Sequence, residues 1–199
     1  MQTESLPDSV PDILQSRASG ILFFASFGAL WLSLSLSFLH RLDLAAIALL
    51  AAGWFSLVLP SVWMLRRVGE RAPPRQPDDD ERARQRMFRI VNLVQWTAVG
   101  VAVVGLQWAG YPLYVVPAIA AIIGLHLFPL AYLFRYSLHY LTGAVLVAWA
   151  IAAPLRTAPA EIAGVTGLGT GAILWCSAAL TLLYSIFLLT TRLEQAPHR

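Results

Sequence analysis

The feature that most constrains this chain is the division of its apolar residues into six separate segments. They cover residues 19–39, 44–65, 88–109, 112–134, 138–155 and 168–190. Each is about as long as a helix must be to cross a hydrocarbon core about 30 Å thick, at about 1.5 Å per residue. Because helices satisfy their own backbone hydrogen bonds, they suit a solvent without water. The sequence therefore predicts an all-α, polytopic transmembrane bundle of six helices.

The composition leaves no room for a second, soluble domain. Hydrophobic residues make up 58% of the chain and charged residues only 13%, where a soluble domain has about a quarter charged. The one sizeable hydrophilic stretch is the loop 66–87. We therefore predict a single integral membrane domain over residues 1–199. The lone cysteine, Cys176, rules out an intramolecular disulfide and a cysteine-based metal cluster.

The arginines predict the orientation of this bundle. All fourteen basic residues are Arg, and eight of them fall between residues 66 and 89. If the N-terminus is cytoplasmic, twelve arginines lie on the inside and only Arg41 and Arg156 on the outside. The positive-inside rule then predicts that both termini are cytoplasmic. The absence of Lys indicates a GC-rich, bacterial genome, so we expect a multi-pass protein of a bacterial inner membrane, with no role in binding nucleic acid.

The loop 66–87 contains a helix breaker followed by a helix start. Residues 72–77 are rich in proline, and the acidic run 78–81 favours the positive end of a new helix dipole. Arg82, Arg86 and Arg89 then share one helix face at i, i+4 and i+7. One interpretation is a solvated helix end that also sets topology. The other is a contact surface for anionic lipids or a partner protein.

Three helices carry small residues at a spacing of four, which allows helix backbones to approach closely in lipid. These stripes are Ala25, Ala29, Ser33 and Ser37; Ala144, Ala148 and Ala152; and Ala163, Gly167 and Gly171. They predict close packing, either within the chain or between copies in a homo-oligomer. Five tryptophans fall deep in the segments and are expected to fill the bundle, where each indole N–H needs a partner: Trp31, Trp54, Trp96, Trp149 and Trp175.

Polar residues deep in the third and fourth segments are the candidate site. Asn92 and Gln95 share one face of the third helix, and a short turn makes the fourth helix its antiparallel neighbour. Counting at about 1.5 Å per residue places His126 at a similar depth. Pro129 lacks an N–H, which frees the Leu125 carbonyl and predicts a kink. These groups predict a pocket for a proton, a cation or a polar solute.

The same residues also fit a purely structural interpretation, in which His126 is neutral and hydrogen-bonds inside the bundle. A metal site needs three or four good ligands, and this set does not supply them. The sequence contains no paired carboxylates, HExxH motif or Ser/His/Asp triad, so we assign no catalytic residues, metal or cofactor. A haem- or quinone-linked enzyme that uses His126 or His139 is the weakest alternative.

Several of these segments resemble an uncharacterised family of small multi-pass bacterial membrane proteins. The resemblance covers most of the chain and lies in residues 123–131 (IGLHLFPLA), Phe134, residues 140–143 (YLTG), Val91, Asn92, Gln95, Arg17, Gly20 and Trp31. It implies an integral membrane protein of about six spans and no assigned activity.

Two functional hypotheses follow from the sequence. The first is a non-enzymatic protein that binds or transports a small solute or ion between the third and fourth helices. The alternative is a structural or regulatory membrane subunit, which binds a partner protein or anionic lipid through its small-residue faces and arginine-rich loop.

Overall fold

The computed structural model describes residues 10–69 and 79–194, and within them the chain is all-helical. Both chain ends and the proline-rich stretch 70–78, where the sequence predicts a helix breaker, lie outside the described residues. Six helices are long and apolar enough to cross a membrane, which confirms the predicted bundle. They are α1 (Val10–Phe38), α2 (Leu44–Gly69), α3 (Asp79–Trp108), α4 (Val115–Leu133), α5 (Leu138–Arg156) and α6 (Ile162–Glu194).

Local sequence signals explain where several of these helices begin and end. The Asp43 carboxylate accepts a hydrogen bond from the Ala46 N–H at 2.7 Å and so caps the start of α2. α3 begins at Asp79, inside the acidic run that predicts it. It ends at a left-handed Gly110, where the Tyr111 N–H bonds the Leu106 carbonyl at 2.8 Å. This is the Schellman arrangement, which satisfies the last carbonyls of a helix.

The interface between α1 and α6 is the largest in the bundle, although these helices are farthest apart in sequence. They run antiparallel and cross where Gly28 faces Gly171. A Cβ atom on Gly171 would lie 2.8 Å from the Gly28 carbonyl oxygen. The Trp175 indole fills the adjacent space against Gly28 and Gly53. Its N–H donates to the Ala25 carbonyl at 2.9 Å, so one side chain joins α1, α2 and α6.

A second close crossing joins α4 to α5. Cβ atoms built on Gly124 and Gly143 would lie 2.9 Å and 2.6 Å, respectively, from the carbonyl oxygen of the opposite glycine. α5 also packs on α6, where the Trp149 indole N–H donates to the Thr166 carbonyl at 2.9 Å. α6 therefore contacts α1, α2, α4 and α5, and forms the centre of the bundle.

The small-residue stripes are used unequally. Ala25 and the α6 pair Gly167 and Gly171 are buried in the interface between α1 and α6, as the spacing predicts. The α5 stripe is different, because Ala144 and Ala148 are exposed. α5 instead packs through Thr142, Gly143, Leu146, Ala150 and Ala153. Close packing within this chain therefore leaves the α5 alanine face free.

α3 is the outermost helix of the bundle and packs mainly on α4. None of its residues is fully buried. Its half-buried residues form a single stripe, which includes Val91, Asn92, Gln95, Ala98 and Ala102. Phe88 near its start packs edge-on against Phe134 at the end of α4, with ring centroids 5.9 Å apart. The predicted antiparallel pairing of these two helices is thus confirmed.

Candidate functional site: two polar groups inside the bundle

The first polar group lies in the seam between α3 and α4, where the sequence analysis places the candidate site. The His126 imidazole interacts with the backbone of Val91 on α3. Asn92 and Gln95 belong to the half-buried stripe that faces α4. Neither amide makes a hydrogen bond to any described residue. The seam therefore contains two side-chain amides that make no hydrogen bond to a described residue. It also contains the His126 imidazole, which contacts the main chain of Val91.

The other two members of the predicted set contribute through the backbone. Pro129 lies inside α4, which continues past it to Leu133. The Leu125 side chain is 57% exposed and apolar, so only its carbonyl is a candidate ligand. Because residue 129 has no N–H, that carbonyl has no i+4 donor within the helix. The seam thus contains carbonyl, amide and imidazole groups. No described carboxylate or guanidinium lies among them.

Arg82, Arg86 and Arg89 follow the start of α3 and are all exposed. Arg82 pairs with Asp79 at 3.1 Å, one turn earlier on the same helix. Exposed pairs of this kind contribute little to stability, because solvent screens them. The face they form therefore stays charged and accessible at one end of the bundle.

The second polar group was not recognised from the sequence. It lies where the start of α1 meets the start of α5 and the end of α6. The Arg17 guanidinium lies over two aromatic rings, 5.3 Å from the centroid of Tyr136 and 4.7 Å from that of Tyr184. Such cation–π contacts stabilise by about 0.5–2 kcal/mol each, more when the cation is desolvated. Yet the Arg17 Nη1 atom is buried and has no hydrogen-bond partner among the described residues.

His139 lies in the same group. Its ring packs edge-on against Tyr136 and Phe24, at centroid distances of 5.0 Å and 5.4 Å. Its Nδ1 atom is also buried without a partner among the described residues. From the sequence, His139 is interpreted as a polar residue at the cytoplasmic interface, with haem or quinone ligation as the alternative. The structure places it beside α1, whereas His126 faces α3, so the two imidazoles contact different helices.

A hydrogen-bond network fixes the aromatic wall of this group. α4 ends in a second Schellman arrangement, with Arg135 in the left-handed region (φ 49°) and the Tyr136 N–H bonded to the Ala131 carbonyl at 3.1 Å. The Tyr136 hydroxyl then donates to the Thr181 hydroxyl on α6 at 3.0 Å. One helical turn away, the hydroxyls of Thr142 and Ser177 lie 2.8 Å apart. Tyr136 is therefore held at both its backbone and its hydroxyl.

Comparison of the chain with protein-family models, curated proteins and solved structures gave no match. Within the described residues, no three His, Cys, Asp or Glu side chains lie close enough together to hold a metal ion. The functional argument therefore depends on the two polar groups themselves.

Proposed function

We propose that this protein binds a small polar solute or ion in the seam between α3 and α4, and that this binding serves transport across the membrane. The supporting observation is the pair of half-buried amides, Asn92 and Gln95, whose hydrogen-bonding capacity is unused by the described residues. A polar group inside a membrane helix is costly unless it has a partner or a function. Because the seam offers neutral oxygen and nitrogen ligands, it suits a cation or an uncharged polar solute.

We also propose that the arginine-rich end of the bundle faces the cytoplasm of a bacterium, so that both termini are cytoplasmic. The support is the bias of twelve arginines against two. The resemblance to small multi-pass bacterial membrane proteins agrees with this location. A reporter that is active only in the cytoplasm, fused to the C-terminus, should be active. Activity of a periplasmic reporter at that position would refute the orientation.

Replacing Gln95 with Leu tests whether its amide binds a ligand or holds the helices together. If the amide binds a ligand and is unpaired without it, the Gln95→Leu variant loses an unpaired polar group from an apolar segment. Its melting temperature in detergent should then stay constant or rise. Solute flux in proteoliposomes should fall. The matched control is Gln107→Leu, because Gln107 is exposed on the same helix. Its flux should stay at the level of the wild type.

Two outcomes would contradict the proposal. A lower melting temperature for Gln95→Leu than for Gln107→Leu would mean that the amide holds the helices together. Unchanged flux in both Gln95→Leu and His126→Leu would mean that the seam does not carry the solute. Either result would favour the second candidate function.

That second candidate is a membrane subunit that binds a partner or anionic lipids. Two observations favour it: the α5 alanine face (Ala144 and Ala148) is exposed, and so is the arginine face of α3. Small residues allow a second helix to approach closely, and the arginines attract acidic groups. This function predicts that changing Arg82, Arg86 and Arg89 together to Gln abolishes co-purification of a partner, whereas His126→Leu does not. Retention of the partner by the triple variant would refute it.

A further inference from the structure

Arg17 is a cation near the start of α1, and it pairs with no carboxylate among the side chains that the structure describes. Arg17 lies near the start of α1, which begins at Val10. Its side chain is half-buried, and among the described residues it forms no ion pair. The two tyrosine rings bind the flat face of the guanidinium, but they offer nothing to the N–H groups at its edge. A buried, unpaired N–H is expensive, and more so when it belongs to a charged group.

His139 contributes a second buried nitrogen beside the same tyrosine ring. It contacts the Tyr136 ring that also lies beneath Arg17, and its buried Nδ1 lacks a partner as well. A protonated imidazole, or the tautomer with hydrogen on Nδ1, donates at this atom. Two unsatisfied nitrogens from α1 and α5 therefore border one aromatic ring. Donors gathered in this way are typical of a site for an oxyanion, because each anionic oxygen accepts more than one hydrogen bond.

The surroundings favour an anion over any other ligand. Arg66 and Arg135 lie at the same end of the bundle. Among the acidic residues whose side chains the structure describes, Asp43 and Glu161 lie at the opposite end of the bundle, and residues 79–81 lie at the start of α3, the outermost helix. Tyr184, which forms one wall of the group, is 48% exposed, so the group opens towards the bundle surface. The group lies near one end of the bundle, and the headgroups of the surrounding lipids lie at the two ends of a transmembrane bundle.

We propose that Arg17 and His139 bind a phosphate group at the membrane interface. The Arg17 fork donates to one or two phosphate oxygens while its face stays stacked between Tyr136 and Tyr184, and His139 donates to another oxygen. Arginine suits this role because its planar fork matches phosphate and its face can stack at the same time. The site is separate from the seam between α3 and α4 and does not depend on the function proposed for it. The phosphate belongs either to an anionic lipid or to a soluble phosphate compound.

The test compares four forms of the full chain: wild type, Arg17→Gln, His139→Gln and the control Arg66→Gln. Arg66 is exposed at the same end of the bundle, so its change removes an equal charge outside the site. Native mass spectrometry measures retention of phosphatidylglycerol and of diacylglycerol, which lacks the phosphate. In parallel, melting temperatures in detergent are measured with inorganic phosphate and with chloride at equal ionic strength.

If the phosphate comes from a lipid, wild type and Arg66→Gln should retain phosphatidylglycerol at least about tenfold more strongly than Arg17→Gln, as expected for loss of a charge-assisted contact. His139→Gln should fall between them, and diacylglycerol should not distinguish the four forms. If the phosphate is soluble, inorganic phosphate should raise the melting temperature of wild type and Arg66→Gln but not of Arg17→Gln. Either pattern supports the site and identifies its source.

Equal lipid retention by wild type and Arg17→Gln, together with equal responses to phosphate, would overturn the proposal. If Arg17→Gln does not fold, Arg17→Lys replaces it. Lysine keeps the charge but loses the planar fork, so binding should weaken without vanishing. Binding by Arg17→Lys that equals the wild type in both measurements would also overturn the proposal.

Discussion

Substitution of Gly143 by Ala tests the close crossing of α4 and α5. The new Cβ atom would lie 2.6 Å from the Gly124 carbonyl oxygen. Carbon–oxygen contacts are ordinarily about 3.3 Å or longer, so the helices would have to separate by roughly 0.7 Å. The obstacle is a backbone atom, which cannot turn aside as a flexible side chain would. A gap of about 0.5–1 Å forfeits a quarter to a half of the dispersion attraction across an interface.

The expected loss in the free energy of unfolding is about 1–3 kcal/mol, which is typical of overpacked interiors. The controls are Gly100→Ala and Gly105→Ala on α3, because an added Cβ atom meets nothing within 4 Å at either position. There, the change should leave stability constant or raise it by up to about 1 kcal/mol, since Ala is the better helix former. The same chemical change should therefore have opposite effects at the two kinds of position.

The assay is equilibrium unfolding in mixed micelles titrated with sodium dodecyl sulfate and followed by tryptophan fluorescence. Gly124→Ala provides an internal repeat, because its Cβ atom would lie 2.9 Å from the Gly143 carbonyl oxygen. The reasoning is refuted if Gly143→Ala is as stable as Gly100→Ala. That result would mean that α4 and α5 do not meet through these two glycines.

Two further predictions use the same assay. Trp175→Phe removes the donor to the Ala25 carbonyl and part of the ring packed on Gly53, and should cost about 1–3 kcal/mol. Trp96→Phe should stay within about 0.5 kcal/mol, because Trp96 is 59% exposed, and equal losses would contradict the role given to Trp175. Arg135→Gly should be about 1 kcal/mol more stable than Arg135→Ala, since the left-handed backbone (φ 49°) favours glycine. Equal stability of these two variants would argue against that backbone conformation.

The extent of most helices could be predicted from the sequence because it depends on local properties, but the first helix, predicted from residue 19, begins at Val10, since the polar residues before the apolar segment continue the helix. The length of each apolar segment determines the length of the membrane span, and capping residues determine where a helix begins and ends. The fifth helix, predicted over 138–155, is observed at Leu138–Arg156. The sixth begins at Ile162 and not near 168, because the glycine-rich residues 164–171 are helical when α1 packs against them. Glycine is a poor helix former in isolation, so its helical state depends on this tertiary contact.

The lateral order of the helices could not be predicted in the same way. Apolar segments in lipid have no strong preference for one another, so their order depends on detailed shape. The pairing of α3 with α4 follows from a short turn, and it was predicted. The pairing of α1 with α6 depends on Gly28 meeting Gly171 across more than a hundred residues of chain. For the same reason, the contacts of Arg17 could not be predicted, since its partners Tyr136 and Tyr184 come from distant parts of the chain.

The buried hydroxyl groups show why only some polar residues in this bundle are candidate ligand sites. Serine and threonine can bond a carbonyl one turn earlier on their own helix, so they need no other partner in lipid. Six buried side chains in the described part of the chain do so at 2.6–2.9 Å: Ser35, Ser61, Thr142, Thr170, Thr181 and Ser185. These bonds lie within a single helix, so they satisfy the hydroxyl groups at little cost and carry no evidence of function; the buried Thr166 hydroxyl is the exception, because it has no partner among the described residues.

Arginine, histidine and glutamine do not form this bond to the preceding turn of their own helix, because their donors lie too far from its backbone. When they are buried, they must find a partner on another helix, in water or in a ligand. The His126 imidazole interacts with the backbone of Val91 on α3. Arg17 and His139 keep buried polar atoms without a partner among the described residues, whereas Asn92 and Gln95 are half-buried amides. The requirement for a partner, and not polarity alone, therefore directs the search for function to the seam between α3 and α4 and to the aromatic group around Arg17.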